Sequence, residues 1–261
     1  MRRSRERRMA MLEAIASGAN DIKLLAEKFG VSFSTVRRDL QRLSKEKAVA
    51  RTYGGAMLAP CIQEENYPVR EWQHRAAKQA IAQAAAAQVG DGETIILDGG
   101  STITSMARFL YDKELTVITN NIKLTAILAD APNIKTIFLG GSIRPISMSA
   151  YGPFAEDALR CLTADRAFTS GNGLVAERGL CEATMEQISL KLLMMRQAKE
   201  TFVLVDASKL GGASQPVWAQ LPLAWTLVTD ADENLCQPFA QVGARLLCVN
   251  ASGSDGDARE E

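Results

Sequence analysis

Two sets of residues in this 261-residue chain have the types and spacing to do chemistry. The first is Asp98-Gly99-Gly100-Ser101-Thr102. Two glycines let backbone approach a ligand closely, and two hydroxyls follow at the expected start of a helix. Free N–H groups and the helix dipole favour an anion there. The spacing is neither GxxxxGK[ST] nor GxGxxG, so a small phosphoester suits the turn better than ATP or NAD. Asp206-Ala207-Ser208-Lys209-Leu210-Gly211 places a cation at a similar turn, where Lys209 could meet the same anion. Taken alone, the first reads more readily as an ordinary N-capped strand–helix turn, and Lys209 could be a solvated loop lysine. The second set is Ser34, Thr35, Arg37, Arg38, Gln41 and Arg42, interleaved with Val36, Leu40 and Leu43. On a helix the three apolar residues face inward and the polar ones outward. Hydroxyls in the first turn and arginines in the second suit the major groove, where Arg can bond guanine through two donors. The competing reading is a helical hairpin whose arginines only solubilise it.

Around that second set, residues 5–16 place Met9, Leu12, Ile15 and Ala16 at helical spacing. Gly18-Ala19-Asn20-Asp21 breaks the pattern, and Asp21 suits the N-cap of a helix from Ile22 to Phe29, with Leu24, Leu25 and Phe29 on its apolar side. Gly30-Val31-Ser32 reads as a tight turn before a third helix, Phe33 to Lys45. Ala48 to Ala56 reads as a β wing with Arg51 and Tyr53 near its turn. Residues 1–57 are therefore expected to form a winged helix-turn-helix domain. Its expected DNA contacts are Ser32, Ser34, Thr35, Arg37, Arg38, Gln41, Arg42, Arg51 and Tyr53. Residues 58–73, with Pro60, Pro68 and Glu64-Glu65, read as a linker. From 74 to 250, apolar runs alternate with helix-length segments, the pattern of an α/β domain with a mainly parallel sheet. The runs are Thr94–Leu97, Leu115–Ile118, Thr136–Leu139, Arg166–Thr169, Phe202–Val205, Thr226–Val228 and Leu246–Val249. Glycines and small polar residues follow most of them, and in a parallel sheet those ends share the edge where ligands bind. Residues 251–261 read as a disordered acidic tail.

Composition narrows the classes. The chain carries 30 Lys and Arg against 30 Asp and Glu. Residues 1–60, however, hold 13 basic and 6 acidic residues, leaving 17 and 24 for the remainder. A basic module on an acidic partner domain points towards nucleic acid. No apolar stretch reaches the roughly 18–20 residues of a membrane span. The basic start is not followed by a signal-peptide core, because Glu13 interrupts it. Five widely spaced cysteines without a CxxC pair suggest neither a zinc site nor a disulfide framework, and fit a reducing cytoplasm. With one histidine, His74, no metal or other cofactor is expected.

Val31-Ser32-Phe33-Ser34-Thr35-Val36-Arg37-Arg38-Asp39-Leu40, followed by Arg51-Thr52-Tyr53-Gly54-Gly55-Ala56, resembles the signature of the DeoR family of bacterial transcriptional regulators. Lys47 departs from it, where members have Gly or Asn. Asp39 would repel phosphate, so it is expected to act inside, pairing with an arginine or a backbone donor. The resemblance extends through Asp98-x-Gly100-Ser101-Thr102, Thr119-Asn120-Asn121, Gly140-Gly141, Lys191 and Asp206-x-Ser208-Lys209-x-Gly211. It implies an effector domain similar in fold to ribose-5-phosphate isomerase, sensing a phosphorylated sugar or related metabolite and releasing a carbohydrate-catabolism operon from repression. By carry-over, Gly100, Ser101 and Thr102 would hold phosphate, with Asn120, Gly141 and Lys209 around it and Asp98 near the sugar hydroxyls. Met148 and Tyr151 are candidates for the variable part of the ligand. Expected partners are operator DNA, this effector and further copies of the chain, a dimer or tetramer. One alternative is a working sugar-phosphate isomerase fused to a DNA-binding domain. Against it, 165–182 keeps Asp165 and Glu177 but lacks the second clustered acid and the lysine turn such chemistry needs. Another alternative is a constitutive DNA-binding protein whose α/β domain only oligomerises, the apolar helix Thr184–Ala198 being core or interface.

Overall fold

Asp21 accepts a hydrogen bond from the Lys23 N–H and starts a helix, Ile22–Phe29, that Gly30 ends in a left-handed conformation at φ 59°. The computed structural model describes residues 7, 10, 11, 14, 21–45, 49–52, 55–58 and 64–250, and side chains only outside 44–63. These fall into two compact units, Met1–Gln63 and Glu64–Glu261.

In the first unit, Val36, Leu40 and Leu43 of the helix Phe33–Lys45 pack on Leu25, Ala26, Met11 and Ala14. Met11 and Ala14 are the described core positions of the leading segment; Met9, Leu12, Ile15 and Ala16 lie outside the described residues. Leu24, expected on the apolar side, is 52% exposed, because Leu25 and Ala26 already fill the contact with the next helix. Asp39 is buried and receives Arg7 Nε at 2.8 Å and Nη2 at 2.7 Å, the internal role expected for it. Strands β1 (Val49–Thr52) and β2 (Gly55–Leu58) pair antiparallel with Thr52 opposite Gly55, which makes the wing.

The second unit begins earlier than expected. Residues 64–73 are not linker: Tyr67–Trp72 is helical, Tyr67 is fully buried, and its N–H donates to Ile146 O at 2.9 Å. Burying Tyr67 ties the segment to the sensor unit despite its weak helical periodicity. After the helix Arg75–Ala86 come β3 (Thr94–Leu97), β4 (Leu115–Thr119) and β5 (Ile134–Phe138). A hairpin of β6 (Ser142–Arg144) and β7 (Ser149–Tyr151) precedes β8 (Ala164–Thr169). Next are β9 (Gly173–Val175), β10 (Gly179–Glu182), the helix Met185–Arg196 and β11 (Ala198–Leu204). The chain then forms β12 (Val217–Ala219), β13 (Trp225–Thr229) and β14 (Ala244–Cys248).

Seven strands make one parallel sheet in the order β14-β13-β11-β8-β3-β4-β5, and each matches an apolar run in the sequence. Helices cover both faces. Ile95 and Leu97 point to one side with Ile103, Leu110 and Leu124, while Ile96 points to the other with Leu159, Leu190 and Met194. Burial on both faces explains why these strands read as continuous apolar runs. The helix Met185–Arg196 is core: Leu190 and Met194 face the parallel sheet, and Ile188 and Met195 pack with Leu174 and Leu180 of the small β12-β10-β9 sheet. Cys236 and Cys248, twelve residues apart on consecutive elements, are free thiols whose Sγ atoms lie 3.7 Å apart.

Candidate functional site

On the helix Phe33–Lys45, Ser34, Arg37, Arg38, Gln41 and Arg42 are exposed and Thr35 is half-buried, on the side opposite Val36, Leu40 and Leu43. The Ser32 hydroxyl lies 2.9 Å from both the Ser34 and Thr35 hydroxyls and accepts the Thr35 N–H at 3.3 Å. Ser32 therefore caps this helix and sets where its first turn begins. Arg51 is on β1, one residue before the turn, and Tyr53 lies outside the described residues.

In the second unit the strand order reverses between β3 and β8, whose outgoing loops leave in opposite directions. A doubly wound sheet opens a crevice at such a point, at the carboxyl ends of the strands. A pocket lies there. Its lining includes Asp98, Gly100, Ser101, Thr102, Asn120 and Lys209, six of the seven residues expected to hold the effector. Tyr151 also lines it, and Met148 does not. Gly141 is the exception among the seven. At φ 97°, a Cβ there would stand 2.5 Å from the Tyr151 carbonyl oxygen, so glycine is required for close packing of the β6–β7 hairpin. Gly100 is needed at the pocket itself: φ is 131°, and a Cβ would stand 2.7 Å from Ser170 Oγ. The helix opening at Ser101 spans only Ser101–Thr104 before the chain starts a second short turn, Ala107–Leu110. Its dipole is correspondingly small. Side chains must therefore do most of the work of holding an anion.

Three of the strongest lining groups carried no motif that assigned them here: Arg70, Glu182 and Lys191, the last noted only as part of a family pattern. Lys191 is buried, pairs closely with Asp98 Oδ2, lies 3.2 Å from Glu182 Oε1 and donates to Ser170 O at 2.9 Å. Burial works against its charge, yet Asp98 and then Glu182 outweigh that and hold its pKa above the ordinary lysine value. Asp98 also accepts from Thr169 Oγ1 and Gly99 N, each at 2.6 Å. Glu182 accepts from Asn172 Nδ2 at 2.8 Å and Gln187 Nε2 at 3.3 Å. One ammonium cannot neutralise two buried carboxylates, and burial pushes the Glu182 carboxyl above its usual range. Lys209 is differently placed. Its ammonium lies 3.9 Å from Asp206 Oδ2, its side chain is 23% exposed, and it is free to turn to a ligand. Burial lowers its pKa; Asp206 counters this, and Arg70 and Lys191 add repulsion. The lining thus sets three cations, Arg70, Lys191 and Lys209, against two carboxylates, Asp98 and Glu182. Hydroxyls of Ser101, Thr102, Ser147 and Ser149 line it as well. Such a site suits a small polyhydroxylated anion.

Residues 7–60 match the family described as DeoR-like helix-turn-helix domain, and residues 73–231 match the DeoR C terminal sensor domain. YulB, an uncharacterized HTH-type transcriptional regulator of Bacillus subtilis (strain 168), is 36% identical over 208 residues, 79% of this chain and 81% of that protein. The HTH-type transcriptional repressor GlcR of the same organism is 34% identical over 220 residues, 83% of this chain and 85% of its own. Among solved structures, ribose 5-phosphate isomerase A of Methanocaldococcus jannaschii aligns with a TM-score of 0.38 and 20% identity, covering 51% of this chain and 52% of that one. Nothing about chemistry follows from a likeness of that size. With both domains matched in order along one chain, and relatives aligned over most of its length, the protein belongs to the DeoR family of helix-turn-helix transcriptional regulators.

Proposed function

We propose that this regulator is a repressor of a carbohydrate-catabolism operon and leaves its operator when a phosphorylated sugar or related metabolite fills the sensor pocket. The observation that carries the reading is the pocket's charge, three cations to two carboxylates among hydroxyls at the reversal of strand order. Lys209 and the Gly100-Ser101-Thr102 turn would hold the phosphate, and Asn120 and Asp98 the sugar hydroxyls. Ser34, Thr35, Arg37, Arg38, Gln41, Arg42 and the wing residues Arg51 and Tyr53 would contact operator DNA, with Ser32 at the helix start. The protein would act in the cytoplasm as at least a dimer, since helix-turn-helix proteins commonly read two half-sites by two-fold symmetry. Among the described residues no helix is long and apolar enough to cross a membrane. Effector binding would shift the population towards an arrangement that no longer fits the half-site spacing, by no more than the effector's preference for that arrangement.

The experiment is a thermal-shift screen of purified protein against a panel of sugar phosphates. Release of a genomic fragment bound by the protein is then measured with each compound that stabilises it. Stabilisation by none of them would end the sugar-phosphate reading.

An isomerase reading has one observation in its favour, a buried Glu182 with a raised pKa. Its oxygens are nevertheless taken by Lys191, Asn172 and Gln187, so no lone carboxylate stands ready as a base. Asp165 lies at the opposite end of β8 from the pocket, bonded to Lys199 and the Thr94 N–H. We therefore take the domain to bind without turnover; conversion of a pentose or hexose phosphate by the purified protein would overturn that.

A further inference from the structure

Arg70 lies on the helix Tyr67–Trp72, the first helix of the sensor unit, and its side chain reaches the pocket wall. The guanidinium is incompletely satisfied. Nη2 donates to Ile146 O at 3.2 Å, Nη1 lies 3.7 Å from Glu64 Oε1, and the buried Nε has no hydrogen-bond partner. Glu64 belongs mainly to another arginine: Arg144 Nη1 donates to it at 2.9 Å, and Arg144 Nη2 makes a second close contact. Two guanidiniums thus share one buried carboxylate, and Arg70 has the weaker hold on it. Lys191 cannot supply the cation for a ligand, because Asp98 and Glu182 already hold it. The Arg70 main chain is pinned independently, its carbonyl oxygen accepting from Lys78 Nζ and from Ser101 Oγ at 3.3 Å. The same residue therefore touches the Asp98–Thr102 loop, the pocket, and Glu64 at the start of the unit, the point where the chain arrives from the DNA-binding unit.

We propose that Arg70 is a direct ligand of the effector's anionic group, acting beside Lys209, and that the anion and Glu64 compete for its guanidinium. This rests on the phosphorylated-effector reading above. A guanidinium offers a planar fork that matches two phosphate oxygens, which an ammonium does not. Occupancy would draw Arg70 from Glu64 towards the pocket, so the effector acts on the residues that lead into the DNA-binding unit.

The test is the rise in melting temperature of the full-length protein with inorganic phosphate, against chloride at equal ionic strength. It compares the natural sequence with Arg70→Ala, Arg70→Lys, Glu64→Gln and Lys209→Ala. The phosphate-free melting temperature of each variant separates loss of the fold from loss of the site. Arg70→Ala is expected to weaken phosphate at least tenfold and Arg70→Lys to recover only part of that, since charge returns without the fork. Glu64→Gln, which removes the competitor, is expected to tighten phosphate severalfold. Full phosphate affinity in both Arg70 variants, with affinity lost in Lys209→Ala, would overturn the role of Arg70 and leave the anion site standing. An unchanged affinity in Glu64→Gln would overturn the competition. No response of the natural sequence to phosphate would overturn the anion site itself, and this inference with it.

Discussion

Lys191 sits between two buried carboxylates, and removing its charge strands both. Lys191→Met is expected to cost about 3–5 kcal/mol in urea denaturation at neutral pH, the range for breaking one partner of a buried ion pair. Pairing it with Glu182→Gln should recover part of the loss, and a double variant no more stable than the single one would show that Glu182 is not the stranded group. Lys78, buried beneath Arg70, behaves in the opposite sense. Burial, with repulsion from Lys209, lowers its pKa from 10.5 to about 8. Below pH 8 both folded and unfolded chains carry that proton and the folded state bears the whole penalty. As pH rises from about 8 to 10.5 the folded chain releases the proton first and stability increases. Relative to Lys78→Met, the natural protein should gain up to about 3 kcal/mol across that window. A difference between the two that stays flat with pH would show that Lys78 titrates as an ordinary lysine. At the other unit, Arg38→Ala should weaken specific operator binding by about 1–3 kcal/mol if Arg38 reads a base. Unchanged operator affinity in a band-shift titration would remove it from the readout.

At the scale of elements, the turn between β3 and the helix Ser101–Thr104 does its work through backbone geometry. Gly100 combines φ 131° with contact to Ser170 Oγ, so Gly100→Ala must distort the loop that presents Ser101 and Thr102. The expected outcome is loss of effector-induced release while operator binding persists; normal release would show that the loop tolerates a Cβ. In the DNA-binding unit the cap is the sensitive point. Ser32→Ala removes the acceptor for the Thr35 N–H and should cost about 1 kcal/mol of stability, read by thermal denaturation.

The whole molecule has a net charge of zero, but residues 1–60 hold 13 basic residues to 6 acidic ones. Operator affinity should therefore fall steeply with salt despite the neutral sum, because the phosphates meet the basic unit. Coupling between the units has an equally definite requirement. If an effector weakens operator binding by some factor, operator DNA must weaken effector binding by the same factor. Calorimetric titration of the effector with and without operator checks this, and unequal factors would mean that more than these two sites take part.

The sequence alone determined the order of the units, the faces of the helix Phe33–Lys45 and all seven parallel strands. These are local matters: period 3.6 sorts Val36, Leu40 and Leu43 from the arginines, and burial on both faces leaves Thr94–Leu97 or Thr226–Val228 as bare apolar runs. Glycines and hydroxyls marked where strands end, and six of the seven residues that the family resemblance assigned to an effector line one pocket at those ends. Tertiary structure alone decided which ends meet. Putting β3 beside β8 sets Asp98 next to Thr169 and Lys191, 71 and 93 residues away. Arg70 and Glu182 join them from a segment read as linker and from an unremarkable hairpin. Gly141 shows the converse, since a family motif marks a glycine without saying whether a ligand or a neighbouring carbonyl requires it. Pairing between distant strands depends on the summed packing of both sheet faces, and no local period in the chain carries that information.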